Sequence, residues 1–191
     1  MPGTELFGEE EKKEVMDVMN SGVLFRFNHD AQREGHWKAK DFEKEVAQFT
    51  GAKHALAVSS GSTAVNTMLA ACGVGYGDEV IVPPFTYIAT IEAVLLAGAL
   101  PVFAEIDDTL CMSAEGIRTV LSPKTKAILL VHMCGAAADL DGIIAICKEK
   151  NIQLIEDSAQ ALGASYKGKM LGTFGLMGSF SYDFFKINTC G

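Results

Sequence analysis

From His54 onward, short unbroken apolar runs alternate with longer segments of helical spacing. The runs "HALAV", "EVIVP", "LPVFAEI", "TKAILLV" and "IQLIED" are too short for helices and lack an inside–outside alternation. Each predicts a strand covered on both faces. Between them "STAVNTMLAAC", "YIATIEAVLLAG", "SAEGIRTVL" and "DLDGIIAICKEK" predict helices, the third opened by an imperfect capping box at Ser113. Strands alternating with helices define βαβ units, so the fold class is α/β with a mostly parallel sheet and flanking helices. After "IED" the pattern changes. Closely spaced glycines in "GASYKGKMLGTFGLMGSFSY" predict short strands packed without a full helix between them.

The first fifty residues read differently. Glu9 to Met19 and Ala39 to Phe49 are amphipathic helices joined by a polar loop containing "RFNHDAQREGHW". No linker-like stretch or internal repeat marks a boundary. The expected organisation is a helical segment over 1–50 and one α/β unit over 51–191.

Composition narrows the classes. The chain has 191 residues, 49% hydrophobic and 21% charged, which suits a globular fold rather than a disordered one. The net charge is −8 and no basic patch appears, so nucleic acid is not an expected partner. The opening "MPGTELFGEEEKKEV" has neither a basic start nor an apolar core, so no secretory leader is expected there. The most apolar region, Ile88 to Ile106, is broken by Glu92, Gly98 and Pro101 and is not an expected membrane span. Five cysteines without metal-ligand spacing read as reduced thiols of a cytoplasmic protein.

Parallel sheets bind ligands beyond the carboxyl ends of their strands. "SSGSTAV", Ser59 to Val65, joins a strand to a helix. Gly61 lets a ligand approach the backbone, and the amides of Ser62 and Thr63 open a helix. This suits an anion such as phosphate, and it suits a plain N-cap equally well. "GVGYGDEV" has spaced glycines, but they follow a helix and precede a strand, the reverse of a dinucleotide fingerprint. They predict a helix C-cap and a turn. In "PPFTYIAT", Phe85 is expected in the core, and Tyr87 is either a core ring too or faces the crevice, where a ring can stack on a flat ligand. Asp157 ends an apolar strand. Glu156 precedes it and must face the other way, and Gln160 lies three residues on. A plain N-cap is the alternative for Asp157. His132 ends another strand and reads as a structural histidine or a lining residue. Lys186, in "SYDFFKINTCG", is either a snorkelling surface group at a strand end or a buried amine held for chemistry.

Taken in order, "SSGSTA", "GDEVIVPPFTYIAT", "EDSAQALGA" and "GSFSYDFFKINTCG" resemble the DegT/DnrJ/EryC1/StrS family of pyridoxal-phosphate (PLP) sugar aminotransferases. "VHMCGAAADLDGI" is similar to the family's His-x-x-Gly stretch. The resemblance runs from about Glu5 to Gly191 and implies the large domain of fold type I, the aspartate aminotransferase fold. It implies Lys186 as the lysine that takes the cofactor's aldehyde, and Asp157 as the partner of the pyridinium nitrogen. Gln160 would lie near the phenolic oxygen, Tyr87 would stack on the ring, and Gly61, Ser62, Thr63 and Ser181 would hold the phosphate. It also implies an amino-acid donor, usually glutamate, a keto or aldehyde sugar acceptor, and a homodimer with shared sites.

"PGTELFGEEEKKEV", "GVLFRFNHD" and "FAEIDDTLCMS" resemble the branch that aminates C8 of a Kdo-type sugar acid for lipopolysaccharide. Nucleotide-linked keto sugars are the alternative acceptors. The family's dehydratases replace the lysine with histidine, so Lys186 disfavours that chemistry. Retention of Lys186, Asp157 and Gln160 disfavours an inactive regulatory fragment. Asp183 departs from the histidine many members carry. The family continues beyond the residue matching Gly191, so its small C-terminal domain is expected outside this sequence.

Overall fold

A computed structural model describes residues 3–190. Two helices dominate the first fifty of them, α1 (Glu9–Ser21) and α3 (Lys38–Thr50), with one turn of helix, α2 (Asp30–Arg33), in the loop between. Each long helix ends on a glycine in the left-handed region, Gly22 and Gly51. The loop is ordered by Arg33. Its buried guanidinium donates to the carbonyls of Phe25 and Asn28 and stacks on Trp37 at 4.2 Å.

The rest is the α/β unit. In chain order it comprises α4 (Gly61–Ala71), β1 (Glu79–Val82), α5 (Ile88–Leu96), β2 (Leu100–Phe103), α6 (Ala114–Val120), β3 (Thr125–Val131), α7 (Leu140–Lys150) and β4 (Gln153–Asp157). Three short strands complete it, β5 (Ser165–Tyr166), β6 (Lys169–Met170) and β7 (Met177–Ser179). Strands β2-β1-β3-β4-β7 form one sheet in that order, every pair parallel, and β5 and β6 form a small antiparallel hairpin.

The unbroken apolar runs have a direct structural cause. Successive residues of a strand point to opposite faces, and here both faces are covered. Val80, Val82, Ala127, Leu129 and Ile155 pack with Val65, Leu69, Ala93 and Val94 of α4 and α5. Ile81, Ile128, Leu130 and Leu154 pack with Ile117, Leu140, Ile143 and Ile146 of α6 and α7. The result is three layers, helix on sheet on helix. The order also turns back on itself: β2 lies on one side of β1 and β3 on the other. Such a reversal opens a crevice beyond the carboxyl ends of the strands.

Two expectations about strands are corrected. "HALAV" belongs to no strand, with Leu56 and Val58 exposed. A strand needs a neighbour's ladder, and no described residue supplies one at this position. "SYDFFKINTCG" is likewise not the end of a strand. β7 stops at Ser179, and 181–190 is a chain of turns closed by Cys190 N–H to Tyr182 O at 3.0 Å. The glycines after α4 form the expected turn, with the Gly75 amide donating to Asp78 Oδ2 at 3.0 Å before β1 begins. Among the described residues, no helix is long and apolar enough to cross a membrane.

Candidate active site

The site is built from residues at and just beyond the carboxyl ends of the strands. Asp157 is the last residue of β4, two positions after Ile155, and so shares the face covered by α4 and α5. It is 8% exposed. Thr90 of α5 donates its hydroxyl to Asp157 Oδ2 at 2.9 Å, and the Ala159 amide donates to Oδ1 at 3.1 Å. Burial pushes the Asp157 carboxyl above its ordinary value; the Ala159 amide, the Thr90 hydroxyl and the nearby Lys186 and His132 pull it down without cancelling that rise.

Glu156 faces the opposite layer, as strand alternation requires. It is fully buried and accepts from His132 Nε2 at 2.9 Å, from the Gly172 amide at 2.9 Å, and from the amides of Phe174 and Gly175 at 2.6 Å each. Burial works to raise its carboxyl, but the His132 bond and these amides hold it below the ordinary range. His132 is therefore a structural histidine rather than one lining the crevice, and its Nδ1 has no partner among the described residues. Two adjacent carboxyls thus have opposite fates. Glu156 is saturated with donors and fastens the turn before β7, whereas Asp157 is buried with less compensation than its charge needs.

Lys186 lies near this carboxyl, and Tyr87 lies near Lys186. Lys186 Nζ sits 6.0 Å from the centre of the Tyr87 ring, and the lysine acts electrostatically on Asp157. Tyr87 caps α5 and is 66% exposed. Phe85 is 45% exposed instead of lying in the core. The turn that carries both rings follows the end of β1 and leaves them exposed.

At α4, Ser60 is the N-cap, and its Oγ accepts the Thr63 amide at 3.0 Å. The hydroxyls of Ser59 and Ser60 lie 3.1 and 2.9 Å from Thr63 Oγ1. So the capping role falls to Ser60 and uses up the Thr63 amide. The amides of Gly61 and Ser62 have no acceptor within the helix. Ser181 closes over this terminus: a Cβ on Gly61 would lie 3.0 Å from Ser181 Cβ and 3.2 Å from its Oγ. Gly61 thus sits at a close approach of two segments far apart in sequence, where any larger residue would press on Ser181. Gln160 Oε1 accepts the Cys134 amide at 3.0 Å, which ties the segment after β4 to the turn after β3.

These residues fit PLP. A helix N-terminus with unpaired amides beside a serine suits a phosphate. A buried carboxyl whose charge is under-compensated suits a pyridinium cation. An amine near that carboxyl, with an exposed aromatic ring beside the amine, suits an aldehyde and a flat ring. Thr90 and Thr86 are the residues that sequence reasoning missed. Their spacing of four along the chain at the start of α5, with Thr86 Oγ1 3.0 Å from Thr90 Oγ1, was the available signal.

Residues 6–191 match the model of the DegT/DnrJ/EryC1/StrS aminotransferase family, and the chain belongs to that family. It is similar to GDP-perosamine synthase of Vibrio cholerae, 44% identical over 182 residues, which are 95% of this chain and 47% of the relative. It is also similar to UDP-N-acetyl-3-dehydro-alpha-D-glucosamine 3-aminotransferase of Acidithiobacillus ferrooxidans, 45% identical over 76% of this chain and 40% of the relative. Among solved structures, Spr1654 of Streptococcus pneumoniae in its PLP form superposes with a TM-score of 0.87 at 30% identity, covering 96% of this chain and 48% of that one. The chain spans about half the length of the relatives it matches.

Proposed function

We propose that the chain forms the cofactor-holding part of a PLP-dependent sugar aminotransferase. The observation that carries this reading is the placing of Lys186 between the buried Asp157, on which it acts, and the exposed Tyr87 ring, 6.0 Å from its amine. PLP supplies an electron sink, provided its ring nitrogen stays protonated. In this reading Lys186 takes the aldehyde. Its amine would also serve as the base that moves a proton at the donor's α-carbon. Asp157 would hold the proton on the ring nitrogen, Tyr87 would support the ring, and Gln160 would serve the phenolic oxygen. Gly61, Ser62, Thr63 and Ser181 take the phosphate, with the Thr63 contribution shifted to its hydroxyl because its amide serves the cap.

The donor is an amino acid, glutamate for choice, and the acceptor is a keto or aldehyde sugar. Residues 1–50 form a helical segment and 51–191 belong to the PLP-binding large domain. A second copy completes each site, and the enzyme works in the cytoplasm. For the acceptor, the segments "GVLFRFNHD" and "FAEIDDTLCMS" favour 8-oxo-Kdo, aminated to 8-amino-3,8-dideoxy-manno-octulosonate for lipopolysaccharide. A second reading is favoured by the two curated relatives, which are named for a GDP-linked and a UDP-linked sugar. There the acceptor is a nucleotide-linked keto sugar.

Two experiments test this. Full-length protein mixed with PLP turns yellow, and borohydride fixes the cofactor on Lys186; an adduct elsewhere, or none, overturns the site. With glutamate supplied, turnover of 8-oxo-Kdo but not of a nucleotide 4-keto sugar supports the first acceptor. The reverse result selects the second.

A further inference from the structure

Thr90 is 1% exposed in a mostly apolar helix, α5, and its hydroxyl is the only side-chain donor to Asp157 among the described residues. A threonine inside a helix ordinarily turns its hydroxyl back to the carbonyl one turn earlier. Here it reaches across to the sheet instead. The direction of its bonds comes from chemistry. An ionised carboxylate only accepts, so Thr90 donates to Asp157 Oδ2, and its oxygen is left to accept from Thr86 across their 3.0 Å separation. The two hydroxyls form a chain running Thr86 to Thr90 to Asp157, in which each bond polarises the next. With Ala159 N–H on the other oxygen, each carboxylate oxygen has its own donor, and the otherwise soft terminal torsion of the aspartate is fixed.

We infer that Thr90, backed by Thr86, is the positioning residue for Asp157: it fixes the carboxylate's orientation and favours its ionised form toward the PLP ring nitrogen. This inference rests on the PLP reading of the site. Lys186 of the final segment and His132 at the end of β3 also act on this carboxyl, while Glu156 faces the other layer. Neither Lys186 nor His132 donates a hydrogen bond to Asp157. Only the Thr90 hydroxyl and the Ala159 amide do, and of the two only the hydroxyl can be removed by mutation.

The consequence can be read in colour. Without the Thr90 donor Asp157 becomes a stronger base, and the shared proton moves from the ring nitrogen toward the carboxylate. The ring then withdraws electrons less, and the nitrogen linking Lys186 to PLP keeps its proton to higher pH. Full-length parent, Thr90→Val, Thr90→Ser and Thr86→Val proteins are compared by pH titration of the visible band of bound PLP and by PLP affinity from fluorescence quenching. The expected result for Thr90→Val is a colour-change midpoint about one pH unit higher and a dissociation constant raised about tenfold. Thr90→Ser recovers most of both, and Thr86→Val shifts both in the same direction by less.

Parental midpoint and affinity in Thr90→Val overturn the inference. So does equal impairment of Thr90→Ser and Thr90→Val, which would make the role one of packing. If Thr90→Val does not fold, Thr86→Val decides, and parental values there overturn it. A parent that shows no visible band with PLP overturns the cofactor reading itself, which separates the two failures.

Discussion

Glu156 and Asp157 are neighbours in β4 and face opposite layers of the molecule. One is bound by four donors and serves the fold; the other is bound by two and belongs to the proposed cofactor site. That division gives the two carboxyls opposite pH signatures.

Asp157 has its carboxyl raised by burial. A raised acid stabilises the fold below its unfolded value, about 3.9, and that contribution is lost as the pH rises through the folded value. The ionised residue is therefore a burden on the cofactor-free protein at neutral pH. Asp157→Asn, which can still accept from Ala159 and pair with Thr90, should melt higher than the parent at pH 7. The gain should vanish below about pH 4. Melting curves across pH check this, and PLP titration of the same variant should show at least tenfold weaker binding.

Glu156 is held below its ordinary range. Its stabilisation is present above the unfolded value, about 4.3, and is lost as the pH falls through the folded one. Glu156→Gln should cost about 3 kcal/mol at pH 7, because an amide group then confronts donors that need an acceptor. Acid unfolding of the variant should be flatter than that of the parent. Urea unfolding at several pH values measures both effects.

Gly61→Ala should act on binding more than on stability. The new Cβ meets Ser181 at 3.0 Å, while the helix gains from losing a glycine. Net stability should change by less than about 1 kcal/mol, with PLP affinity down roughly tenfold as Ser181 is displaced from the helix terminus. Pairing it with Ser181→Gly should relieve the clash without restoring affinity, which calorimetric titration of PLP would register.

Thiol chemistry should divide the cysteines. Cys134 and Cys190 are exposed, whereas Cys72, Cys111 and Cys147 are buried, and burial pushes Cys147 up to about 11. Thiolate is the reactive form. Iodoacetamide at mildly alkaline pH should label Cys134 and Cys190 first and the other three only after unfolding, as peptide mass spectrometry would show.

Much of this was legible in the sequence because burial on both faces writes itself as unbroken apolar runs. The strand around Ile128 and Leu129 is the plainest case. Alternation also foretold that Glu156 and Asp157 would part company. "HALAV" failed as a strand because an apolar run records a preference for cover and cannot supply the neighbour that gives it. Phe85 failed for the same reason at the level of one ring. The Thr86–Thr90 chain escaped notice because a helix read by its apolar residues says nothing about hydroxyls. Ser181 and Gly61 carry no mutual signal at all, since their contact depends on how α4 settles on β7.

The segment that bears Lys186 has no ladder to hold it. It is fastened by Ser181 against Gly61, by the Tyr182 ring edge-on to Phe42 at 4.9 Å, and by a few turn bonds. Opening it breaks far fewer bonds than unfolding β3 or β4, so it belongs to the part of the protein that opens first and most often. A ligand that joins Lys186 to the α4 terminus and to Asp157 would span that loose segment and the rigid sheet. Cofactor loading is then also the last step of ordering, and the amides from Asp183 to Thr189 are where slowed hydrogen exchange would record it.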